Sequence, residues 1–284
     1  MKKKIITLAL LAMSATTFAQ KSFEFGYGIG SSNYLGDLQP KAYTWENPGF
    51  ATGFFVKTNL NAWFGFKGFL NYGRLHASDA NSIEQGRLQR NLSFRSYVLE
   101  FGGQAEVNVL PFDAYNPQNK SYRRYFNWTP YFFGGLNVFH FNPKTFYNNS
   151  WVELQPLGTE GQGTSFNTKR PYNRTQVAIP FGFGMRWAIN KHIMVGAEVG
   201  VRKTFTDYID DVSTNYVNLS DLAAENGQLA AELSWRGDEV SNGSGYTPIV
   251  GEARGRSENM DWYTMNTVTF SYRIIPKKRA FRQW

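Results

Sequence analysis

The sequence predicts an all-β chain, an eight-stranded antiparallel transmembrane β-barrel with long extracellular loops and short periplasmic turns. Three observations predict it. The chain opens with an export leader. Its hydrophobicity alternates with a period of two in one segment after another. Aromatic residues make up 17% of it, yet no stretch after residue 19 approaches the ~20 apolar residues of a transmembrane helix.

The leader reads Lys2, Lys3 and Lys4, then the short apolar run Ile5 to Met13, then small residues ending in Thr17-Phe18-Ala19. That is a secretory signal peptide over 1–19, cleaved after Ala19, leaving 20–284 as one outer-membrane barrel domain. No cysteine occurs anywhere, so there is no acylation site at the cut and no disulfide framework to hold an exported chain together. Mean hydropathy is −0.42 and the formal charge is +8. Loss of the three leader lysines leaves about +5, which is no argument for a nucleic-acid partner.

The alternation is explicit. Phe23, Phe25, Tyr27 and Ile29 alternate with Glu24, Gly26, Gly28 and Gly30. Phe64, Phe66, Leu70 and Tyr72 form the next clear apolar face, and Leu99, Phe101, Ala105, Val107 and Val109 another. Val177 to Trp187, Ile193 to Val201 and Val268 to Tyr272 follow the same rule. One face is apolar and the other small or polar, as a barrel wall between lipid and a narrow interior requires. Two further segments complete eight. Gly49 to Asn59 has Phe54 and Val56 on one face but Phe55 on the other, and Pro130 to Phe141 is apolar on both. Residues 60–62 and 190–192 are tight turns of the periplasmic kind. Segments 31–48, 77–91, 142–174 and 206–260 are long and polar. Segment 110–128 is a longer periplasmic connection.

Eight strands enclose little room. The inward set includes Glu24, Lys67, Glu100, Glu106, Arg186, Glu198 and Arg202, which must pair to offset desolvation. They are expected to form a plug of ion pairs. The glycines of Gly26-x-Gly28-x-Gly30 are inward positions of a narrow barrel, since no helix follows them as a nucleotide-binding turn would need. In the largest loop, Leu219 to Leu233 is expected to form a short helix capped by Ser220 and folded over the barrel mouth.

No catalytic, metal or cofactor site is expected. His76 and His140 stand near strand ends with Asp79, Asp207, Asp210 and Asp211, where a His/Asp pair would serve as a general base, but no nucleophile motif accompanies them. His192 reads as a solvated turn residue. Asp207-x-x-Asp210-Asp211 with Ser213 offers oxygen ligands for calcium without the regular EF-hand spacing, and the blander reading is a capped loop start.

Three loop segments go beyond class: Ser31-Ser32-Asn33-Tyr34-Leu35-Gly36-Asp37-Leu38-Gln39-Pro40, Leu154-Gln155-Pro156-Leu157-Gly158-Thr159-Glu160-Gly161-Gln162-Gly163, and Phe205-Thr206-Asp207-Tyr208-Ile209-Asp210-Asp211-Val212-Ser213. Thr129-Pro130-Tyr131, leading to Phe141-Asn142-Pro143-Lys144, fits the same pattern. Together these resemble the PorG-type outer-membrane protein of the Bacteroidetes type IX secretion system, over about residues 22–275. The resemblance implies a non-catalytic barrel that associates with the periplasmic ring of PorK-type lipoprotein and PorN-type protein. It also implies a role in exporting cargo with a C-terminal sorting signal, and in adhesin delivery in gliding species. The three motifs fall on loops read as extracellular, whereas a periplasmic ring would touch turns and tail; the motifs are therefore expected to serve loop folding or another part of the translocon.

Charge placement suggests the contact surface. Loop 206–261 is acidic, while the tail is basic, with Arg273 and then Lys277, Lys278, Arg279 and Arg282. With Lys120, Arg123 and Arg124 of segment 110–128, the last four form the expected partner-binding set. Outer-membrane lipid is the other expected partner. The competing reading is a small porin or ligand-binding barrel with the acidic loop as a lid.

Overall fold

The structure is a computed structural model, and it describes residues 22–39, 48–112, 126–240 and 246–274. Among the described residues nine strands form: β1 (Ser22–Leu35), β2 (Gly49–Asn59), β3 (Phe64–Ser78), β4 (Ser93–Asn108), β5 (Trp128–Tyr147), β6 (Ser150–Glu153), β7 (Thr175–Ala188), β8 (Ile193–Thr204) and β9 (Trp262–Ile274). Eight of them close a barrel. Each pairs antiparallel with its neighbours in the order β4-β3-β2-β1-β9-β8-β7-β5, and β4 pairs with β5 to complete the ring. Closure leaves no open sheet edge. β6 stands outside the ring, folding back on β5 from Lys144↔Glu153 to Tyr147↔Ser150 as a hairpin above the wall.

The period-two pattern sets which face is which. Outward positions such as Phe25, Phe54, Phe66, Phe183 and Phe270 are exposed, with Phe101 and Leu136 each 69% exposed. Inward positions are small or charged. In β2 the mixed pattern resolves as Phe54 and Val56 outward and Phe55 inward. A Cβ on Gly26 would lie 2.1 Å from the Phe55 ring, so the missing side chain is what admits the ring. In β5, Tyr131, Phe133, Phe139 and Phe141 point in, and Phe132, Leu136 and Val138 point out. The β5–β7 ladder is interrupted between Gly134↔Phe181 and Asn137↔Ala178, where Pro180 has no N–H to give.

The elements extend beyond the expected boundaries. β1 continues through Ser31 to Leu35, β5 reaches Tyr147, and β6 lies inside what reads as loop 142–174. The tight turns form as expected between Asn59 and Phe64 and between Ala188 and Ile193, the longer β4–β5 connection leaves from the same end, and the other long connections lie at the opposite end. The expected single helix is two, α2 (Leu219–Asn226) and α3 (Gln228–Ser234), after the short α1 (Gln85–Arg90) of the 79–92 loop. Gly227, at φ +93°, breaks the run. The cap is Asn218 rather than Ser220: its side chain accepts from the Ser220 and Asp221 backbone N–H groups, as a helix N-cap does.

The apolar core lies at the loop end, between the upper barrel and the loops that cover it. Tyr34, Leu75, Val98, Phe139, Phe141, Ile209, Leu233 and Tyr263 are all buried there. Phe141, Tyr172 and Tyr208 stack in a row, with ring planes 4° and 11° apart.

Candidate functional site

Two arrangements merit the name, one in the bore and one over the mouth. In the bore, the inward faces of seven strands place four glutamates against five cations. Glu106 meets Lys57 at 2.8 Å, Arg186 at 2.5 Å and Lys67 at 3.9 Å. Lys67 also donates to both oxygens of Glu198, the second at 2.7 Å, and the Tyr131 hydroxyl donates to Glu198 at 2.6 Å. The Arg186 guanidinium lies 3.7 Å from the centre of the Tyr131 ring. Higher up, Glu100 accepts from Arg202 at 2.8 Å, Tyr263 at 2.7 Å, Asn137 at 2.6 Å and Asn71 at 2.8 Å. Lower down, Glu24 accepts from Arg273 at 3.1 Å and Asn59 at 2.6 Å.

Charges this deep are stable only when paired and hydrogen-bonded, and here each glutamate collects several donors. Two voids within the network measure about 20 Å³ each, room for a water or so. The expected plug therefore forms from Glu24, Lys67, Glu100, Glu106, Arg186, Glu198 and Arg202. Lys57 and Arg273 belong to it as well. Sequence reading placed Arg273 in the basic tail, but it points inward, and the neighbouring turn is tied down because His192 donates from Nδ1 to the Arg273 carbonyl at 2.9 Å and stacks on Tyr272. His192 is thus a fastening of the turn rather than a solvated residue.

Over the mouth, the three loop motifs converge. The Tyr34 hydroxyl lies 2.6 Å from Asp210 Oδ2 and 2.7 Å from Asp261 Oδ1. Thr159 donates to Asp211 at 2.6 Å, and Tyr172 donates to its other oxygen at 2.7 Å. Glu160 accepts from the backbone N–H of Ser213 at 2.8 Å, from the Thr214 hydroxyl at 2.6 Å and from Arg254 at 3.0 Å. Arg90 pairs with Asp79 at 2.7 Å and donates to the Arg254 carbonyl, tying the α1 loop to the same cap. Burial pushes these loop carboxyls up: Asp207 to about 9, Asp210 to about 7 and Asp211 to about 6, with Asp261 well above its ordinary value.

This use of the acidic run differs from a calcium loop. Asp210 turns to Tyr34 and Asp211 to Thr159 and Tyr172, and among the described residues no group of three His, Cys, Asp or Glu side chains is arranged to hold a metal ion. Nor does the rim assemble a His/Asp pair. Asp79 is buried on Arg90, His76 sits on the outward face of β3, and His140 contacts the Thr175 hydroxyl at 3.0 Å.

A family model described as a domain of unknown function (DUF6089) matches residues 2–231. The chain belongs to the DUF6089 family. No curated protein matches this DUF6089 member. Among solved structures it is similar to Ail, the attachment invasion locus protein of Yersinia pestis, crystallised with the heparin analogue sucrose octasulfate. That likeness has a TM-score of 0.42 and 7% identity, and covers 90% of this chain and 99% of that one. A major outer membrane protein of Thermus thermophilus gives 0.39 and 10% over 89% and 99%. Neisserial surface protein A gives 0.38 and 9% over 89% and 97%. The barrel assignment for the DUF6089 chain rests on its own strand register.

The expected partner-binding set, Lys120, Arg123, Arg124, Lys277, Lys278, Arg279 and Arg282, lies outside the described residues of the DUF6089 chain. The described flanks place where those segments depart. Phe112 bridges Phe126 at the turn end, and β9 finishes at Ile274 opposite Phe23, also at the turn end.

Proposed function

We propose that the chain is a sealed, non-catalytic outer-membrane anchor that serves the type IX secretion machine by linking its periplasmic ring to the outer membrane. The observation that carries the anchor reading is the pairing of an apolar outer wall with a filled bore. Outward positions from 64 to 72 on β3, 99 to 107 on β4 and 130 to 138 on β5 carry no charge. Each run is about nine residues, the length a tilted strand needs to cross hydrocarbon. In water so continuous a belt of exposed Phe, Leu, Ile and Val would drive association. Inside, ion pairs occupy the axis that a porin would leave open, which weighs against the small-porin alternative.

The machine is proposed on the resemblance of the three loop motifs to PorG-type proteins. Their convergence in one hydrogen-bonded cap accounts for them as determinants of loop folding. The turn end is left for the ring, with Lys120, Arg123, Arg124, Lys277, Lys278, Arg279 and Arg282 on the segments that depart there. Affinity purification of the tagged chain from native envelopes in mild detergent tests this. Co-purification of a stoichiometric periplasmic lipoprotein and its ring partner, weakened when the four tail cations become Gln, is the expected result. Recovery of the barrel alone, under conditions that keep other envelope complexes whole, overturns the secretion reading and leaves the anchor.

A further inference from the structure

The outer wall carries a second pattern above the apolar belt. On the eight barrel strands the outward-pointing Lys and Arg residues are Arg74, Arg95, Lys144 and Lys203, all at the loop end, and the outward positions hold no acid. Three of the four are close neighbours. Arg95 is the cross-strand partner of Lys144 on one side and of His76 on the other, and Arg74 lies one outward position below His76. Along the strands, Tyr72 lies one outward position below Arg74 and Tyr97 one below Arg95, with Leu70 and Leu99 next beneath, and on β5 His140 and Val138 lie two and three outward positions below Lys144. The Tyr97 and His140 rings are 6.0 Å apart.

Above the cations, the β5–β6 hairpin presents Phe146 and Trp151 on the same outward face, 5.4 Å apart and 47% and 43% exposed. Arg95 lies 3.6 Å from the centre of the Trp151 ring. Glu153 of β6 is shared by Lys144 at 2.8 Å and Arg174 at 3.1 Å, so its charge is outnumbered there by the cations. Among the described residues Arg74 makes no ion pair.

We propose that this β3–β6 quadrant binds the phosphate-bearing sugar headgroup of a glycolipid in the leaflet at the loop end, an inference that rests on the membrane reading above. Hydrocarbon ends at the tyrosine layer, and lipid phosphates lie next above it. Arg and Lys stems run along the apolar wall and lift their charges to that height, and guanidinium groups fit phosphate oxygens in pairs. Phe146 and Trp151 rise past the phosphate level, where a phospholipid has little left to offer and a sugar ring continues. Lys203 of β8, beside Trp262 of β9, stands apart from this cluster and serves as a control.

Full-length chain in detergent, incubated with bisphosphorylated lipid A, with its dephosphorylated form or with phosphatidylglycerol, and examined for retained lipid by native mass spectrometry, tests the proposal. The phosphorylated lipid A should be retained in preference to both others. R74Q/R95Q/K144Q should lower retention by roughly tenfold or more, R74Q alone by a smaller factor, and K203Q should leave it unchanged. R74Q breaks no ion pair, so it decides the matter if the triple variant fails to fold. Equal retention of the dephosphorylated form or of phosphatidylglycerol, or retention unaffected by R74Q and by the triple variant, overturns the proposal. Insertion into phosphatidylcholine vesicles is measured in parallel. A chain that does not insert fails the membrane reading itself, whereas one that inserts without lipid preference fails only this inference.

Discussion

The Tyr34 hydroxyl lies 2.6 Å from Oδ2 of Asp210, a residue 176 positions further along the chain. The same oxygen is 2.7 Å from Asp261. A phenol has one proton to donate, so two contacts of this length require that one of the two carboxyls is itself protonated and donates back. Tyr34 thereby joins the end of β1 to both flanks of the largest loop. Y34F should loosen the cap by about 1–3 kcal/mol, because two buried carboxyls lose their shared partner. Limited proteolysis within 205–261 should accelerate while the barrel remains inserted in vesicles.

The same carboxyls give the cap a pH dependence with a definite sign. Asp207, Asp210 and Asp211 are raised by burial to about 9, 7 and 6, above the ordinary Asp value near ~4. A raised folded-state pKa means that the folded cap holds its protons more tightly than the unfolded loop. The associated stability is fully present below the ordinary value and is lost as pH rises through the raised ones. The cap should therefore resist proteolysis best near pH 5 and progressively less toward pH 9, after correction for protease activity on an unstructured substrate. D210N should flatten the profile. A cap that tightens as pH rises would contradict this assignment.

In the bore, Glu106 is the shared partner of Lys57, Arg186 and Lys67. E106Q takes the paired counter-charge from buried Lys57 and Arg186 and leaves Lys67 with Glu198 alone, a loss of about 3–5 kcal/mol. The urea midpoint for loss of the folded, heat-modifiable barrel should fall accordingly. E239Q, which touches only the exposed Arg236 pair, should leave the midpoint nearly unchanged.

Gly26 and Phe55 form a complementary pair across β1 and β2, since a Cβ on Gly26 would meet the ring at 2.1 Å. G26A should destabilise by about 1–3 kcal/mol through overpacking. The double variant G26A/F55L should recover much of that loss, a coupling that a double-mutant cycle in urea measures directly.

Much of this fold is legible in the sequence because a barrel wall imposes a period of two on each strand separately. Phe23 to Gly30 or Val177 to Ala188 can be read without knowing any neighbour. What the sequence conceals is what depends on neighbours. Phe55 looks misplaced until Gly26 is set across from it. Lys57 shares the inward row of β2 with that aromatic ring, and so does not stand out as a member of the plug. Arg273 sits at a strand end next to a basic tail, and only the register with Glu24 turns it inward. The loop motifs are visible as strings, but residues 34, 160 and 211 come together only through strand closure and loop packing. Gly227 splits the expected helix because Leu222 and Leu229 follow helical spacing regardless of the break between them.

The central claim is that this is a barrel sealed along its own axis, and electrical recording from the purified chain in a planar phosphatidylcholine bilayer tests it most directly. Because the seal is the bore network and not only the loops above it, unitary conductance should stay at background for the intact chain. It should stay there when Y34F loosens the cap, and also under acid and alkaline conditions. Reproducible conductance steps from the intact chain would contradict the account and return the small-porin reading to first place.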